Sequence, residues 1–273
     1  MMSFTRPQTL APIALVLLAA CGGSGGGAPT TQDVILPLID PAATGSVTLA
    51  GVSLDSVARS TSGLTGTLNY TADTFSLGSI SGDINSDLSQ VEISSGGAIV
   101  LTAPSSTSFA TLYDATPKSG NRTLGVVGAA TPISGMLSTG TATYTGTAAV
   151  TIEDNATRYD LAGNASVVAS FGAGTVATTI NALSGTQTTG ATAPVKVTDA
   201  AIIGFTGSSI TGATFSGGTP SLTSTTIAVL SGAEQSSLDG AFFGPDADEA
   251  GAVFVIDDSA SGTVTVLGTL IAD

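Results

Sequence analysis

The sequence predicts an all-β fold, and three observations support this prediction. Glycine, serine, threonine, alanine and valine are abundant in the 273 residues and only 10% are charged, a composition that suits strands better than helix bundles. Apolar and polar residues alternate along many short segments, as in strands with one buried face. Turn signals rich in glycine, asparagine and aspartate separate these segments. The expected architecture is an antiparallel sandwich or barrel.

Alternation is clearest over residues 139–152. Threonines occupy every second position from Thr139 to Thr147, and the opposite face carries Ala142, Tyr144, Ala148, Val150 and Ile152. Further strands are predicted at 63–71, 75–84, 98–103, 108–113, 122–129, 157–169, 174–183, 198–205, 210–216, 221–231, 237–243, 251–257 and 262–271. Helix should be a minor component, because apolar residues do not recur at helical spacing over three turns.

The N-terminus has the three parts of a secretion signal: a positive charge at Arg6, an apolar run from Leu10 to Ala20, and small residues before Cys21. The apolar run is roughly half of the ~20 residues that a membrane-spanning helix needs. The segment 18–21, Leu-Ala-Ala-Cys, resembles the lipobox of bacterial lipoproteins, in which a peptidase cuts before a cysteine that carries diacylglycerol.

The sequence therefore predicts a signal peptide at 1–20, lipidation of Cys21 (palmitate and related chains), and a flexible tether over 21–44. Glycine rather than aspartate at position 22 favours the outer membrane. The alternative is an ordinary secreted protein with a cysteine near the cleavage site. An intramolecular disulfide is excluded, because Cys21 is the only cysteine.

Net charge limits the partners. Removal of Arg6 with the signal leaves five (6 − 1) basic residues against 20 acidic ones, a formal charge of −15. Nucleic acid is not an expected partner, because binding phosphates requires clustered lysine and arginine. The acidic balance favours a basic partner or a cation, or simply keeps the protein soluble.

Two β domains are predicted after the tether. A strand ends near residue 129 and a proline follows at Pro132, which suggests a boundary there. We expect a smaller N-terminal β module over 45–131 and a barrel over 132–273.

The most distinctive segment, 238–254, reads as a hairpin with an acidic turn. Gly244 can adopt a backbone conformation that other residues avoid. Pro245, which follows it, has a fixed φ angle and interrupts the strand. Asp246 or Asp248 can accept hydrogen bonds from backbone N–H groups of the turn.

This hairpin resembles the G-x-F-[YF]-G-P-x-A-x-E-x-G-G-x-F pattern of the barrel domains in transferrin-binding protein B and its relatives. The matching positions are Gly240, Phe242, Phe243, Gly244, Pro245, Ala247, Glu249, Gly251 and Phe254. Residues 138–146, 165–180, 204–207 and 214–217 are similar to other strands of that barrel, so the resemblance covers about 133–273. Ser170 and Ala252 depart from the family pattern.

The resemblance implies an eight-stranded antiparallel barrel preceded by a smaller, handle-like β-sheet module, on a lipidated N-terminal tether. Members of the family bind host or haem-related proteins at the cell surface. One lobe of that two-lobed family fits this chain, so the resemblance implies a non-enzymatic binding role in iron or haem acquisition rather than transferrin binding itself. The alternative is a structural or adhesive envelope lipoprotein without a discrete ligand.

Catalytic chemistry has few candidates. The absence of histidine excludes Ser-His-Asp triads, Cys-His pairs and His-ligated metals, and no phosphate-binding loop occurs. A carboxylate-only glycosidase would depend on Glu153 or Glu249. Acidic pairs in turns favour turn capping over a calcium site. We therefore expect no enzyme activity, cofactor or metal, and we expect five phenylalanines to fill the barrel core: Phe205, Phe215, Phe242, Phe243 and Phe254.

Overall fold

A computed structural model describes residue 38 and residues 43–78, 80–84, 90–93, 96–102, 105, 107–232, 234–260 and 262–273. The signal peptide, Cys21 and most of the tether lie outside these residues. The described part of the chain is built from antiparallel strands, with one short 3-10 turn at Ile133–Gly135. Among the residues described, no helical segment has the length and hydropathy needed to cross a bilayer.

The first sheet has eight strands in the described part of the chain. They are β1 (Ser46–Asp55), β2 (Ser60–Asn69), β3 (Thr74–Leu77), β4 (Ile80–Asp83), β5 (Gln90–Glu92), β6 (Gly97–Leu101), β7 (Ala110–Pro117) and β8 (Thr123–Gly128). Their order is β4-β3-β2-β1-β8-β7-β6-β5. A bridge between Ile84 and Val91 joins the two outer strands, so this sheet is nearly closed.

The second sheet contains β9 (Thr141–Asp154), β10 (Thr157–Ser170), β11 (Thr175–Thr189), β12 (Val195–Val197), β13 (Ile202–Thr211), β14 (Thr214–Ser216), β15 (Thr219–Thr223), β16 (Gln235–Phe243), β17 (Glu249–Asp257) and β18 (Val264–Ala272). Pairing of β11 with β13 and of β18 with β9 closes a ring of eight strands, and β12 and β15 add to it from outside. The predicted eight-stranded antiparallel barrel and preceding β module are confirmed, whereas the exact domain boundaries stay predictions.

Strand β9 has one face in the barrel interior and one face in solvent. Tyr144, Ala148, Val150 and Ile152 are buried in the barrel, and the threonines between them face outward.

Large aromatic rings fill the barrel interior beside glycines of neighbouring strands. A Cβ at Gly240 would overlap the ring of Phe215, and one at Gly268 would overlap the ring of Phe254. Glycine in these strands therefore makes room for the aromatic core.

Besides the core of the barrel and the core of the first sheet, an apolar cluster lies between the two sheets and joins them. The barrel contributes Ala241, Phe243, Val253 and Val255, and the first sheet contributes Val52, Leu54, Ala110 and Val126. Strand β17 is consequently buried on both faces along eight of its nine residues. Burial on both faces explains the nearly continuous apolar sequence of this strand.

The structure differs from the predicted strands in several places. Residues 75–84 form two strands, because Gly78 turns the chain with a φ of +59°. The strand predicted at 221–231 ends at Thr223. Strand β1 was not predicted, because Leu49 faces the core of the first sheet while Val52 and Leu54 face the barrel. Burial on both faces hides the period-two pattern that would have revealed this strand.

Candidate binding site: signature hairpin, barrel ends and inter-sheet cleft

The signature hairpin is formed by β16 and β17, and one set of its residues faces the barrel interior. Phe242 lies at the centre of an aromatic cluster, with ring centroids 5.9 Å from Tyr144, 5.6 Å from Phe171 and 5.1 Å from Phe215. Phe254 packs against Phe205 at 5.5 Å. All of these rings lie in the barrel core, and four of them were predicted there: Phe205, Phe215, Phe242 and Phe254.

The turn of the hairpin depends on unusual backbone angles. Gly244 has a φ of +85° and Ala247 a φ of +59°. The Tyr144 hydroxyl donates a 2.7 Å hydrogen bond to the carbonyl of Ala247, and Asp248 accepts the N–H of Asp246 at 3.3 Å. Burial, together with the nearby Asp248 charge, raises the pKa of Tyr144 to about 12. The hydroxyl of Tyr144 therefore stays protonated at neutral pH, and its hydrogen bond holds the hairpin turn against β9 at this end of the barrel.

The other face of the hairpin holds the first sheet. The buried carboxylate of Glu249 accepts the backbone N–H groups of Phe109 and Ala110, both at 2.9 Å. Burial raises the pKa of Glu249, and the charges of Asp273 and Asp248 add to the rise. Both oxygens of Glu249 are thus used to join the two sheets.

Glu249 cannot cooperate with Glu153 as a glycosidase pair. Through β18, Glu249 lies near the level of Thr145 on β9, eight residues from Glu153. At ~3.3 Å per residue the two carboxylates are more than about 20 Å apart, whereas glycosidases need about 5–10 Å.

Phe243 differs from the prediction for the core phenylalanines. It packs in the inter-sheet cluster rather than inside the barrel. Phe242 and Phe243 are neighbours on one strand, and consecutive side chains of a strand point to opposite faces. Phe242 therefore faces the barrel interior, and Phe243 faces the first sheet.

Two glycines, Gly251 and Gly135, allow other parts of the chain to pack closely against the hairpin. A Cβ at Gly251 would lie 2.5 Å from a methyl carbon of Val126, so the missing side chain lets β17 approach the first sheet. A Cβ at Gly135 would overlap the carbonyl oxygen of Pro245, which places the 3-10 turn directly on the hairpin turn. In this structure, the signature residues build the barrel core and the junction between the sheets.

Arg59 adds a polar contact across the junction. It lies in the β1–β2 turn with a φ of +52°, and its guanidinium is 3.0 Å from Asp257 and 3.8 Å from Glu153. Thr61, on β2, donates a hydrogen bond to Asp239 on β16. The sequence does not predict these contacts, because Arg59 and its acidic partners are far apart in the chain and meet only through the packing of the two sheets.

The acidic pairs in turns act as hydrogen-bond acceptors. Asp154 accepts the N–H of Ala228 at 2.9 Å and the hydroxyl of Thr263 at 2.7 Å, and Asp258 accepts the N–H of Ser231 at 2.8 Å. Groups of three or more acidic, histidine or cysteine side chains suited to a metal do not occur in the described ranges. Turn capping therefore accounts for the contacts of these acids.

A cleft of about 470 Å³ opens between the two sheets. Strands β6, β7 and β8 form one wall, and β9, β10, β11 and β18 form the other. Its apolar surface includes Leu112 and Leu124 from the first sheet and Leu267 from the barrel. A cleft of this size is in the range that holds small organic molecules.

Two arginines line this cleft, one on each wall. Nε and Nη2 of Arg122 donate to the two oxygens of Asp114 at 2.9 and 2.5 Å. Nε and Nη2 of Arg158 donate to Asp160 at 2.8 to 3.1 Å. The hydrogen bond from Arg158 lowers the pKa of Asp160, so this carboxylate stays ionised in mildly acidic solution.

The two ends of the barrel differ. One end carries β12 and β15, the segment that follows β15, and three exposed apolar side chains: Val195 (63% exposed), Ile202 (50%) and Val229 (77%). The N–H of Ala228, next to Val229, is bonded to Asp154 at this same end. We call it the β12–β15 end. The opposite end holds the hairpin turn and the exposed Ile133 and Leu137.

The chain enters the first sheet at the hairpin-turn end. Leu38 is buried in the core of that sheet, and its N–H donates to the carbonyl of Ser108 at 2.8 Å. Ser108 precedes Phe109, which contacts Glu249 and lies beside Gly244. Leu38, the first residue that the structure describes, therefore lies at the barrel end opposite β12 and β15.

Comparisons with known proteins agree with this architecture. Residues 136–273, just over half of the chain, match the family model of the C-lobe and N-lobe β-barrels of transferrin-binding protein B. Comparison with curated proteins gives no match.

Solved structures of that protein share the fold. A single-site mutant from Haemophilus parasuis is 16% identical with a TM-score of 0.55, and the alignment covers 82% of this chain and 44% of that one. The isotype 1 protein from serogroup B Neisseria meningitidis is also 16% identical, with a TM-score of 0.52 and coverage of 82% and 43%. The chain thus spans less than half the length of these relatives.

Proposed function

Because the chain belongs to the family of the transferrin-binding protein B β-barrels, we propose that it is an outer-membrane surface lipoprotein that binds a protein ligand without catalysing a reaction. The family match over the whole barrel carries this proposal. The predicted lipid on Cys21 supplies the anchor, and each buried CH₂ of a lipid contributes about 0.8 kcal/mol to membrane attachment.

The β12–β15 end is the proposed ligand-binding face. Leu38 lies at the opposite end of the barrel, so a tether that reaches the body through this residue would leave the β12–β15 end free for a ligand. Its exposed apolar side chains stand on segments that a closed barrel holds in place, as in many proteins that bind through loops. Exposed apolar groups on a rigid scaffold favour a protein partner.

The proposed ligand class is an iron- or haem-carrying host protein. The relatives named above are transferrin-binding proteins, so transferrin is one probe, and it tests the expectation that a chain spanning less than half of these relatives binds another member of this class. Haemoglobin is the second probe, for the haem-related class. The acidic character of the mature chain would favour a ligand with a basic contact surface.

Binding can be tested with the mature chain lacking Cys21, immobilised on a sensor surface. We expect saturable binding of transferrin or haemoglobin, and retention of the same protein from serum. If neither probe binds, and the only specific association is between copies of the chain, the structural or adhesive alternative is favoured instead.

A pair of double variants locates the binding face. Val195→Asp with Val229→Asp places two charges at the β12–β15 end and should weaken binding at least tenfold, because charges without partners must be desolvated in the interface. Ile133→Asp with Leu137→Asp adds the same charges at the opposite end and should leave binding within about twofold. Equal losses in the two variants would refute the assignment of the face.

The anchor is tested separately with Cys21→Ser in the full-length precursor. The wild type should incorporate a clickable palmitate analogue and sediment with outer membranes. The variant should do neither, because the thiol that accepts the lipid is gone. Labelling of the variant would show that the lipid is attached elsewhere.

A further inference from the structure

We propose that the inter-sheet cleft is a binding site for a small anionic amphiphile, with an apolar body against the leucines and an acidic head between Arg122 and Arg158. This site is separate from the proposed protein-binding face.

The cleft is amphipathic along its length. On the barrel wall, Arg158 pairs in register with Glu153, Asp160 with Thr151, and Ala162 with Ala149. The outward side chains thus change from charged to small and apolar over about 13 Å, since every second residue faces outward and each rises ~3.3 Å. An amphiphile needs this gradient, with a charged end for its head and an uncharged surface for its body.

The first sheet repeats this gradient on the facing wall. Arg122 and Asp114 form its charged pair, with Leu124 opposite Asp114 in the ladder and Leu112 two residues before Asp114 in β7. Asp160 is close enough to raise the pKa of Arg122, after the larger effect of the hydrogen bond from Arg122 to Asp114. The charged ends of the two walls therefore face each other.

Hydrogen bonding at the charged end favours an anion over a cation. Both oxygens of Asp114 and both oxygens of Asp160 already accept hydrogen bonds from the neighbouring arginine. Each arginine keeps Nη1 as a donor: among the described residues Nη1 of Arg122 makes no hydrogen bond, and that of Arg158 is 3.9 Å from Glu153. The two acids thus fix the guanidinium planes and leave donors for an acidic head.

The cleft is less acidic than the rest of the mature chain, which has five basic residues against 20 acidic ones. Two of those five, Arg122 and Arg158, line the cleft and balance the charges of Asp114 and Asp160. The side chains of the two arginines are 48% and 49% exposed, so a ligand can reach both. Ala149 and Ala162 leave the space between the walls open for the body of the ligand.

The test uses a matched pair of fluorescent probes with the mature chain. One is 8-anilinonaphthalene-1-sulfonate, and the other is N-phenyl-1-naphthylamine, which has the same rings without the sulfonate. Arg122→Gln with Arg158→Gln should weaken binding of the sulfonate about tenfold or more and change binding of the neutral amine less than about threefold. Lys118→Gln with Lys196→Gln removes the same charge away from the cleft and should leave both affinities unchanged.

A second variant keeps the test decisive if the arginine variant folds poorly. Ala162→Leu fills the cleft while both arginines remain, and it should abolish binding of both probes without changing the near-UV circular dichroism of the protein. The proposal fails if the sulfonate does not bind at millimolar concentration. It also fails if Ala162→Leu binds like the wild type, or if the arginine and lysine variants lose the same affinity.

Discussion

Glu249 illustrates how one buried carboxylate can serve as a structural link. It is 7% exposed, and its two oxygens accept the N–H groups of Phe109 and Ala110 from the other sheet. Replacement by glutamine keeps the volume but turns one acceptor into a donor, which then faces a backbone N–H. Leaving that N–H unpaired costs about 1–3 kcal/mol. We expect Glu249→Gln to lower the free energy of unfolding by this amount in chemical denaturation at pH 7.

The pH dependence of the same variant tests the electrostatics of the site. The folded pKa of Glu249 is raised above its ordinary value of 4.5, so the protonated form favours the folded state. This contribution is fully present below about pH 4.5 and is lost as the pH rises through the folded pKa. The stability advantage of the wild type over Glu249→Gln should therefore shrink from pH 4 to pH 7. A constant advantage would contradict the raised pKa.

Gly251 matters because it has no side chain. A Cβ there would lie 2.5 Å from Val126, and overpacking of this kind costs about 1–3 kcal/mol. Gly251→Ala should destabilise the protein by that amount, and Val126→Ala should recover part of the loss in a double-mutant cycle. Gly63→Ala is the matched control, because a Cβ at that exposed strand position meets no atom within 4 Å. Equal effects of the two alanines would rule out the steric explanation.

At the scale of elements, the signature hairpin combines two functions that the sequence pattern does not separate. Phe242 and Phe254 fill the barrel, while Phe243, Glu249 and Gly251 hold the first sheet. The sequence predicted the hairpin, its glycine turn and its acidic cap correctly. It did not reveal the second buried face, because the first sheet that covers this face comes from residues more than 100 positions earlier in the chain.

The link between β9 and the hairpin turn is testable at this scale. Tyr144→Phe removes the 2.7 Å hydrogen bond to the carbonyl of Ala247 and keeps the ring against Phe242. The free energy of unfolding should fall by about 0.5–1.5 kcal/mol, with the barrel retained. Hydrogen exchange should increase at residues 246–248 more than in β10, which would distinguish local loosening of the turn from general destabilisation.

For the whole molecule, the strand alternation predicted an antiparallel sandwich or barrel, and the family resemblance of the signature implied the eight-stranded barrel. The alternation of β9 survives because one of its faces is wet, whereas β1 and β17 are covered on both sides and lose the pattern. The cleft could not be predicted, because Arg122 and Arg158 are 36 residues apart and meet only through the packing of two sheets. Short strands such as β5 and β12, with three residues each, carry too little pattern to detect.

Separation of the two sheets should expose the cluster that joins them. A fragment of residues 132–273 would bring Phe243, Val253 and Val255 into water, and an apolar patch of this kind promotes association. We expect the fragment to form oligomers whose size depends on concentration in light scattering, and Phe243→Ser with Val253→Thr to restore a monomer. A fragment that stays monomeric and as stable as the mature chain would show that the sheets fold independently.

The strand order also affects when the protein can fold. In each sheet the first and last strands are neighbours: β1 pairs with β8, and β9 pairs with β18 through contacts such as Gly146 with Ala272. Neither sheet can be completed until its final strand is available, and pairing over such long loops is slow. For a protein proposed to cross a membrane before folding, this late closure would keep the chain extended and competent for translocation until its last strand has passed through.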